Sequence, residues 1–208
     1  MEDQDKKKEK PSEKIIPENI SKAERNETAN PNFFGELFRF ALVTLLIVIP
    51  VRLYVAQPFI VNGSSMDPTF ETGQYLIIDE IGYRFGDPIR GDVIVFNAPP
   101  DPKKFFIKRI IGLPGETIEL KGDKIIVKNA TNTEGFALDE SYLKNNTGQY
   151  ARASIALKNN EYFVMGDNRN ASFDSRAWGP LKKDMIVGRA FLRLFPIENF
   201  AIIPGRAK

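Results

Sequence analysis

From residue 75 onward the chain is a succession of short β-rich runs separated by turn-forming residues. Valine, isoleucine, phenylalanine and tyrosine, which favour strands, are concentrated in residues 75–79, 91–96, 105–111, 117–120, 124–128, 161–165 and 189–194. Turn signals stand between these runs, at residues 73, 86–88, 113–115, 122–123 and 166–168. Runs of this length and spacing predict a mainly β domain, which we place at residues 57–208.

Two stretches depart from this pattern. Residues 129–160 are polar and weakly patterned, so we predict a loop or a small cap region there rather than core. Residues 1–32 carry many charges and almost no large apolar residues beyond Ile15, Ile16 and Ile20. So few apolar groups cannot offset the entropy of ordering the chain, and a disordered tail is predicted.

Residues 33–56 are predicted to form a transmembrane helix. Residues 40–51 contain no charge, and if Arg39 and Arg52 snorkel, residues 37–56 supply the roughly 20 residues that cross a bilayer. The uncharged run alone is short, so a buried helix of a soluble protein is the alternative. Basic residues before the helix favour a cytoplasmic tail and place residues 57–208 on the outer face.

The chain contains neither cysteine nor histidine. Disulfides, thiolate metal sites and a cysteine nucleophile are therefore excluded, as are a Ser-His-Asp triad and histidine-ligated zinc. A serine nucleophile would need a lysine or a carboxylate as its base. The net charge is only +2, and no basic cluster indicates a nucleic-acid partner.

Residues 59–70 present two hydroxyl groups on a constrained turn. An apolar run ends at Asn62 and Gly63, Ser64 and Ser65 follow, and Pro68 stiffens the exit. This arrangement is typical of a presented nucleophile. An ordinary surface turn is the alternative for these residues taken alone.

Lys108 lies inside the apolar run 105–111, next to Arg109. If this strand alternates, one of the two side chains points inward. An apolar site and the positive charge of Arg109 both disfavour the ammonium form, so the pKa of an inward Lys108 falls and the amine can serve as a base near neutrality. The alternative is a solvated lysine on a half-exposed strand.

A second polar cluster occupies residues 166–179, where opposite charges alternate with hydroxyls. It contains Asp167, Arg169, Ser172, Asp174, Ser175, Arg176 and the only tryptophan, Trp178. Such a segment suits a hydrogen-bonded network that supports a buried site. A solvated loop with surface ion pairs is the alternative.

Together these segments resemble, in order, the sequence boxes of bacterial type I signal peptidases, in particular the single-span members. The matching motifs are Gly-Ser-Ser-Met-Asp-Pro-Thr at 63–69, Arg-Gly-Asp-Val-Ile-Val-Phe at 90–96, Lys-Arg-Ile-Ile-Gly-Leu-Pro-Gly-Glu at 108–116, and Gly-Asp-Asn-Arg at 166–169 with the residues after it. The likeness spans roughly residues 35–195. It implies a membrane-anchored β-sheet or barrel catalytic domain.

The resemblance also implies roles for individual residues. Ser65, which precedes methionine, corresponds to the nucleophile, Lys108 to the general base, and Ser172 to the serine that orients this lysine. Asp174 with Arg176 and Asp167 with Arg109 correspond to structural ion pairs. The pocket for small substrate residues corresponds to Phe59, Val61, Met66, Phe70 and Ile107. Because Gly63 has no hydroxyl, the oxyanion is expected to use the Ser65 amide or the Ser64 hydroxyl.

The expected activity is removal of N-terminal signal peptides after Ala-x-Ala sequences, without metal or cofactor. The expected partners are the signal peptides of translocated preproteins and membrane lipid, at the outer face of the plasma or inner membrane, which is compatible with proximity to the secretion translocon. Two other readings stay open. A self-cleaving Ser-Lys repressor would share the dyad, but a hydrophobic helix stands where its DNA-binding module is expected. A membrane-tethered adaptor without activity is the second.

Overall fold

A computed structural model describes residues 33–50, 56–143 and 148–205. Helix α1, Phe33–Pro50, corresponds to the first part of the predicted transmembrane segment. The predicted tail at residues 1–32, and residues 51–55 of the predicted span, lie outside the described residues. Within those described ranges, no helix combines the length and the apolar character needed to cross a membrane.

The part of the chain that begins at Ala56 is mainly β, as predicted. Its strands are β1 Ala56–Ile60, β2 Tyr75–Asp79, β3 Val93–Ala98, β4 Asp101–Gly112, β5 Thr117–Gly122, β6 Lys124–Asn129, β7 Asn132–Ala137, β8 Tyr150–Ala156, β9 Glu161–Met165, β10 Leu181–Lys182, β11 Ile186–Phe195 and β12 Ala201–Ile202. Two single-turn helices, α2 Gly82–Phe85 and α3 Ser175–Trp178, interrupt them, as do 3₁₀ turns at Lys183–Met185 and Ile197–Asn199.

These strands form two antiparallel sheets. The larger sheet has the order β1-β2-β11-β3-β4-β9-β10, with β12 paired to β11, and the smaller one has the order β7-β6-β5-β8. Both run through neighbouring antiparallel pairs.

Strand β3 explains why the larger sheet has apolar side chains on both faces. Successive side chains of a strand point to opposite faces. Val93 and Val95 accordingly pack into one core cluster, whereas Ile94 and Phe96 pack into another. A strand buried on both faces reads as a continuous apolar run, which is why residues 91–96 stand out in the sequence.

Residues 129–160, predicted to be a loop or small cap, contain two strands of the smaller sheet, β7 and β8. Tyr150 and Leu157 also join the core cluster that includes Ile118 and Phe163. The sequence missed these strands because most side chains of both are at least partly exposed, so neither shows a sustained apolar alternation. Their pairing partners in β5 and β6 supply the contacts that a local pattern does not reveal.

Candidate active site

The turn that carries Ser64 and Ser65 connects β1 to β2 and is closed at its neck by hydrogen bonds. Val61 N–H donates to the Gln74 carbonyl at 2.9 Å, and Gly73 N–H donates to the Val61 carbonyl at 2.9 Å. Gly63 N–H donates to Thr72 Oγ1 at 3.0 Å. Gly63 has φ +102°, a conformation that favours glycine. The neck therefore holds the two serines in a defined loop.

Lys108 reaches this loop from the middle of the larger sheet. Its side chain extends from β4, where its Cα pairs with Ile94 of β3, and only 4% of the residue is exposed. Lys108 Nζ lies 2.7 Å from Ser65 Oγ and donates to the Ile107 carbonyl at 2.9 Å. The two predicted dyad residues are thus within hydrogen-bond distance of each other.

Burial lowers the pKa of Lys108 from an ordinary 10.5 to about 8, against the opposing negative charges of Asp174 and Asp167. An amine with this pKa is neutral in a large fraction of molecules slightly above neutral pH, and a neutral amine can accept a proton. The sequence assigned part of this lowering to Arg109. In the structure the charge of Arg109 is paired with Asp167, and burial is the cause of the lowered pKa of Lys108.

Alternation led us to expect one inward side chain from Lys108 and Arg109, but both are buried. Strand β4 lies between β3 and β9, and its C-terminal half is covered on both faces. Arg109 Nε and Nη2 donate to the two carboxylate oxygens of Asp167 at 2.8 and 2.5 Å. Arg109 Nη1 donates to the carbonyls of Gly91, at 2.9 Å, and Gly205. The predicted Asp167–Arg109 ion pair is present.

The 166–169 segment supports the serine turn through two hydrogen bonds. Asn168 N–H donates to the Ser65 carbonyl at 3.0 Å, and Asn168 Nδ2 donates to the Ser64 carbonyl at 3.1 Å. The sequence pattern does not distinguish Asn168 from its neighbours. The only signal was its place inside the Gly-Asp-Asn-Arg motif, because a residue that acts through backbone carbonyls of a distant turn leaves no local pattern.

Asp174 and Arg176 form the second predicted ion pair. Arg176 Nε donates to Asp174 Oδ1 at 2.8 Å, and Gly166 N–H donates to Asp174 Oδ2 at 3.0 Å. Burial alone would raise the pKa of Asp174, but the hydrogen bonds and charges around its carboxylate, those of Arg176 foremost and that of the Gly166 N–H among them, lower it. Asp174 is therefore a buried, charged support beside the site. Ser175 Oγ accepts from Val164 N–H at 3.1 Å and fixes the same segment to β9.

Ser172 lies in this segment, close to the carboxylate of Asp174. Its Oγ is buried without a hydrogen-bond partner of normal geometry among the described residues. The hydrogen bonds of Lys108 Nζ go to Ser65 and Ile107. The orienting contact from Ser172 to Lys108 that the resemblance implies stays a prediction.

A cavity of about 310 Å³ opens beside the dyad and is lined by Ser65, Lys108 and apolar side chains. Phe59, Val61 and Ile107, which the resemblance assigns to the substrate pocket, line it. The sequence missed Ile60, Leu76, Val95, Phe105, Phe106, Ala171 and Phe173, which also line it. Met66 and Phe70 do not. Both are fully buried in the core cluster that contains Val61, so they pack behind the wall of the cavity.

The predicted oxyanion donors lie at the edge of the same cavity. Ser64 and Ser65 both line it, together with Gly63. In the described part of the chain, the N–H of Ser65 makes no hydrogen bond, so it can donate to a substrate atom. Ser64 is exposed. Gly63 carries no side chain that could help.

Comparison with known proteins gives the site a family context. The family described as signal peptidase, peptidase S26, matches residues 34–195. A probable signal peptidase I-2 of Synechocystis is 34% identical over 93% of this chain and 88% of its own length. Signal peptidase I P of Bacillus subtilis subsp. natto is 38% identical over 76% and 87%.

A crystal structure of a signal peptidase I from Enterococcus faecalis is 31% identical and covers 50% of this chain and 97% of its own, with a TM-score of 0.42. This score is too low for that structure to bear on the site. The family match and the curated relatives decide against both the self-cleaving repressor and the adaptor without activity. The chain belongs to the signal peptidase family, peptidase S26.

Proposed function

We propose that this protein is a membrane-attached serine endopeptidase that removes N-terminal signal peptides from secreted preproteins, with Ser65 as nucleophile and Lys108 as general base. The observation that carries the proposal is the distance of 2.7 Å between Lys108 Nζ and Ser65 Oγ. Membership of the signal peptidase family supplies the class of substrate.

The geometry supports the following acylation step. Neutral Lys108 accepts the Ser65 proton while Oγ attacks the carbonyl carbon of the scissile bond. The tetrahedral intermediate collapses, the C–N bond breaks, and the Lys108 ammonium returns its proton to the leaving amine. The Ser65 N–H, which has no acceptor within the described residues, donates to the oxyanion, and the Ser64 hydroxyl is the second candidate donor.

Deacylation uses the same amine. Lys108 takes a proton from water, the resulting hydroxide attacks the acyl ester, and the bond to Ser65 Oγ breaks as Oγ regains a proton from Lys108. The chain's own residues are sufficient for every proton transfer. Ser172, Asp174 and Arg176, together with the Asp167–Arg109 pair, support the dyad from the side of residues 166–176.

Substrate choice is assigned to the apolar cavity. Its walls, including Val61, Val95 and Ile107, lie beside Ser65, so a small side chain just before the cut bond can enter it. A larger side chain would overlap with a packed wall, because Val61 and Val95 are nearly fully buried. Cleavage after Ala-x-Ala sequences is the expected specificity.

A row of apolar side chains on one face of the larger sheet supports attachment to a membrane surface. The register places Ile60 opposite Tyr75 and Tyr75 opposite Phe195, so the three side chains share one face. Of these, Ile60 is 59% and Phe195 52% exposed, and Ile60 also lines the active-site cavity. An apolar row that begins at the cavity suits a site working at a lipid surface.

Helix α1 supports the same proposal. Its large apolar side chains, such as Phe34 at 79% and Leu46 at 65%, are exposed and need an apolar cover. We assign residues 33–56 to the membrane anchor, residues 1–32 to a cytoplasmic tail, and residues 57–208 to a catalytic domain on the outer face, close to the translocon. The membrane is the plasma or inner membrane.

The activity is tested with the full chain in detergent, a fluorogenic Ala-x-Ala peptide and a preprotein. Ser65→Ala should abolish cleavage of both while the circular dichroism spectrum stays unchanged. Ser64→Ala is the matched control and should retain the fold and part of the activity. Loss of cleavage in Ser64→Ala with full activity in Ser65→Ala would show that the nucleophile is Ser64 and that the assignment to Ser65 is wrong.

Membrane attachment is tested by fractionation of cells that express the full chain. The protein should sediment with membranes and resist extraction by alkaline carbonate. Release by carbonate would mean that it lies on the membrane without spanning it. Recovery as a monomer in the supernatant without detergent would contradict attachment of either kind.

A further inference from the structure

Tyr142 contacts two arginines that lie beside different halves of the proposed dyad. Its ring centroid is 4.2 Å from the guanidinium carbon of Arg109. Its hydroxyl accepts a hydrogen bond from Arg169 Nη2 at 3.2 Å. Tyr142 lies in the segment expected to form a loop or cap, where the sequence pattern carries no sign of a functional residue.

Arg109 connects Tyr142 to the base. It follows Lys108 directly on β4, and the two hydrogen bonds to Asp167 fix the orientation of its planar guanidinium. A ring stacked on that plane excludes water from one side of the ion pair and stabilises the cation. With Arg109 fixed, the backbone from which Lys108 projects is fixed too.

Arg169 connects Tyr142 to the nucleophile. Its Nε donates to the Gly166 carbonyl at 3.0 Å, and its Nη1 donates to Tyr150 Oη at 2.8 Å. Arg169 therefore closes the short segment whose Asn168 binds the carbonyls of Ser64 and Ser65. Displacing Arg169 would loosen the support under the serine turn.

The turn that presents Tyr142 is itself fixed. Leu143 N–H donates to the Glu140 carbonyl at 2.9 Å, and Ser141 N–H donates to Asp139 Oδ1 at 2.9 Å. Glu140 forms an ion pair with Arg169, and both side chains are almost fully buried. Arg169 is therefore bound by two side chains of the same turn, Glu140 and Tyr142.

We propose that Tyr142 is a positioning residue that sets the distance between Lys108 Nζ and Ser65 Oγ by holding Arg109 and Arg169 at once. The inference rests on the proposed function of the dyad. Tyr142 touches neither Ser65 nor Lys108 in the described contacts, so it acts through the two arginines. Burial raises the pKa of Tyr142 to about 12, so its hydroxyl stays protonated over the working range of pH.

Two substitutions separate the two contacts. Tyr142→Phe keeps the ring on Arg109 and removes the hydrogen bond from Arg169, whereas Tyr142→Ala removes both. Small displacements of reacting groups cost large factors in rate, so we expect kcat to fall about tenfold or more in Tyr142→Ala and about threefold in Tyr142→Phe. KM should stay within about twofold, because Tyr142 does not line the cavity.

Phe136→Ala is the matched control. The Phe136 ring lies 5.7 Å from the guanidinium carbon of Arg90, which pairs with Glu116 and contacts neither Ser65 nor Lys108 among the described contacts. Both alanine variants lose an aromatic contact to an arginine, so both should lower the melting temperature. Only Tyr142→Ala should lower kcat, measured with the full chain in detergent well below either melting temperature.

The pH profile separates positioning from a change in the burial of Lys108. We expect the acid limb of kcat/KM to stay near the wild-type position in Tyr142→Ala while its plateau falls. A limb that moves towards the pKa of an ordinary lysine would overturn the proposal, since Tyr142 would then act by excluding water from Lys108. Wild-type kcat in a folded Tyr142→Ala protein would overturn it as well.

Should Tyr142→Ala fail to fold, Tyr142→Phe decides, because unchanged kcat in that variant would contradict the link through Arg169. Ser65→Ala and Lys108→Ala are assayed in the same series. If either retains activity, the proposed dyad is wrong. If both are inactive and the Tyr142 variants match the wild type, the dyad stands and only the positioning role fails.

Discussion

A Cβ atom on Gly166 would lie 2.3 Å from the carbonyl oxygen of Ser65 and 2.6 Å from the Cβ of Ser172. The backbone of the 166–169 segment therefore approaches the serine turn so closely that only glycine fits between them. This close approach brings the Asn168 N–H within hydrogen-bond distance of the Ser65 carbonyl.

Gly166→Ala should consequently displace the serine turn and lower kcat/KM by about tenfold or more, because the added methyl group meets backbone that cannot simply rotate away. Steady-state kinetics with the Ala-x-Ala peptide measures the effect. Gly86→Ala is the control, since its nearest contact at 3.8 Å is ordinary packing. Equal kinetics for the two variants would show that the serine turn adapts freely.

Lys108 should set the acid limb of the pH profile. Its pKa is lowered to about 8 by burial, and only the neutral amine accepts the Ser65 proton, so kcat/KM should rise with pH through about 8. Lys108→Ala and Lys108→Arg should both be inactive, since guanidinium does not give up its proton in this range. A limb near pH 4, or an active Lys108→Arg enzyme, would assign the base to a carboxylate such as Asp174.

The same lysine should make stability depend on pH. Its folded-state pKa lies below its unfolded value, so between about 8 and 10.5 the unfolded chain binds more protons, and the contribution of Lys108 to the free energy of unfolding rises with pH. Below this window the buried ammonium destabilises the fold. Lys108→Met should therefore be more stable than the wild type near neutral pH. This gain in the free energy of unfolding should shrink as the pH approaches the pKa of an ordinary lysine.

Urea unfolding at several pH values measures this difference. Lys104→Met is the control, because the Lys104 side chain is 72% exposed and its removal relieves no buried charge. A gain in Lys108→Met that stays constant from neutral to alkaline pH would contradict the assignment of burial as the cause.

Pocket volume should control the choice of substrate. The wild type should prefer an Ala-x-Ala peptide over a Leu-x-Leu peptide, and Ile107→Ala should reduce that preference by about tenfold, since it removes part of the cavity wall. The ratio of kcat/KM for the two peptides is the measurement. Ile110→Ala makes the same change on the same strand in a different core cluster, so it should leave the ratio unchanged.

The sequence could predict the mainly β fold because strand formation leaves local signals. Residues 75–79 and 161–165 coincide with β2 and β9. The strands that it missed, such as β7 and β8, expose most of their side chains and obtain their partners from β5 and β6. Pairing of this kind depends on contacts between distant parts of the chain, for which a local pattern carries no information.

The chain's residue inventory determined, without any structure, that a serine nucleophile here must use lysine or a carboxylate, because histidine and cysteine are absent. The motif order pointed to Ser65 and Lys108. Only the tertiary structure decided that both Lys108 and Arg109 are buried, that Met66 and Phe70 pack behind the cavity, and that Asn168 supports the serine turn. Each of these depends on which strand or loop lies on the other side of the residue, and that is settled when the whole chain packs.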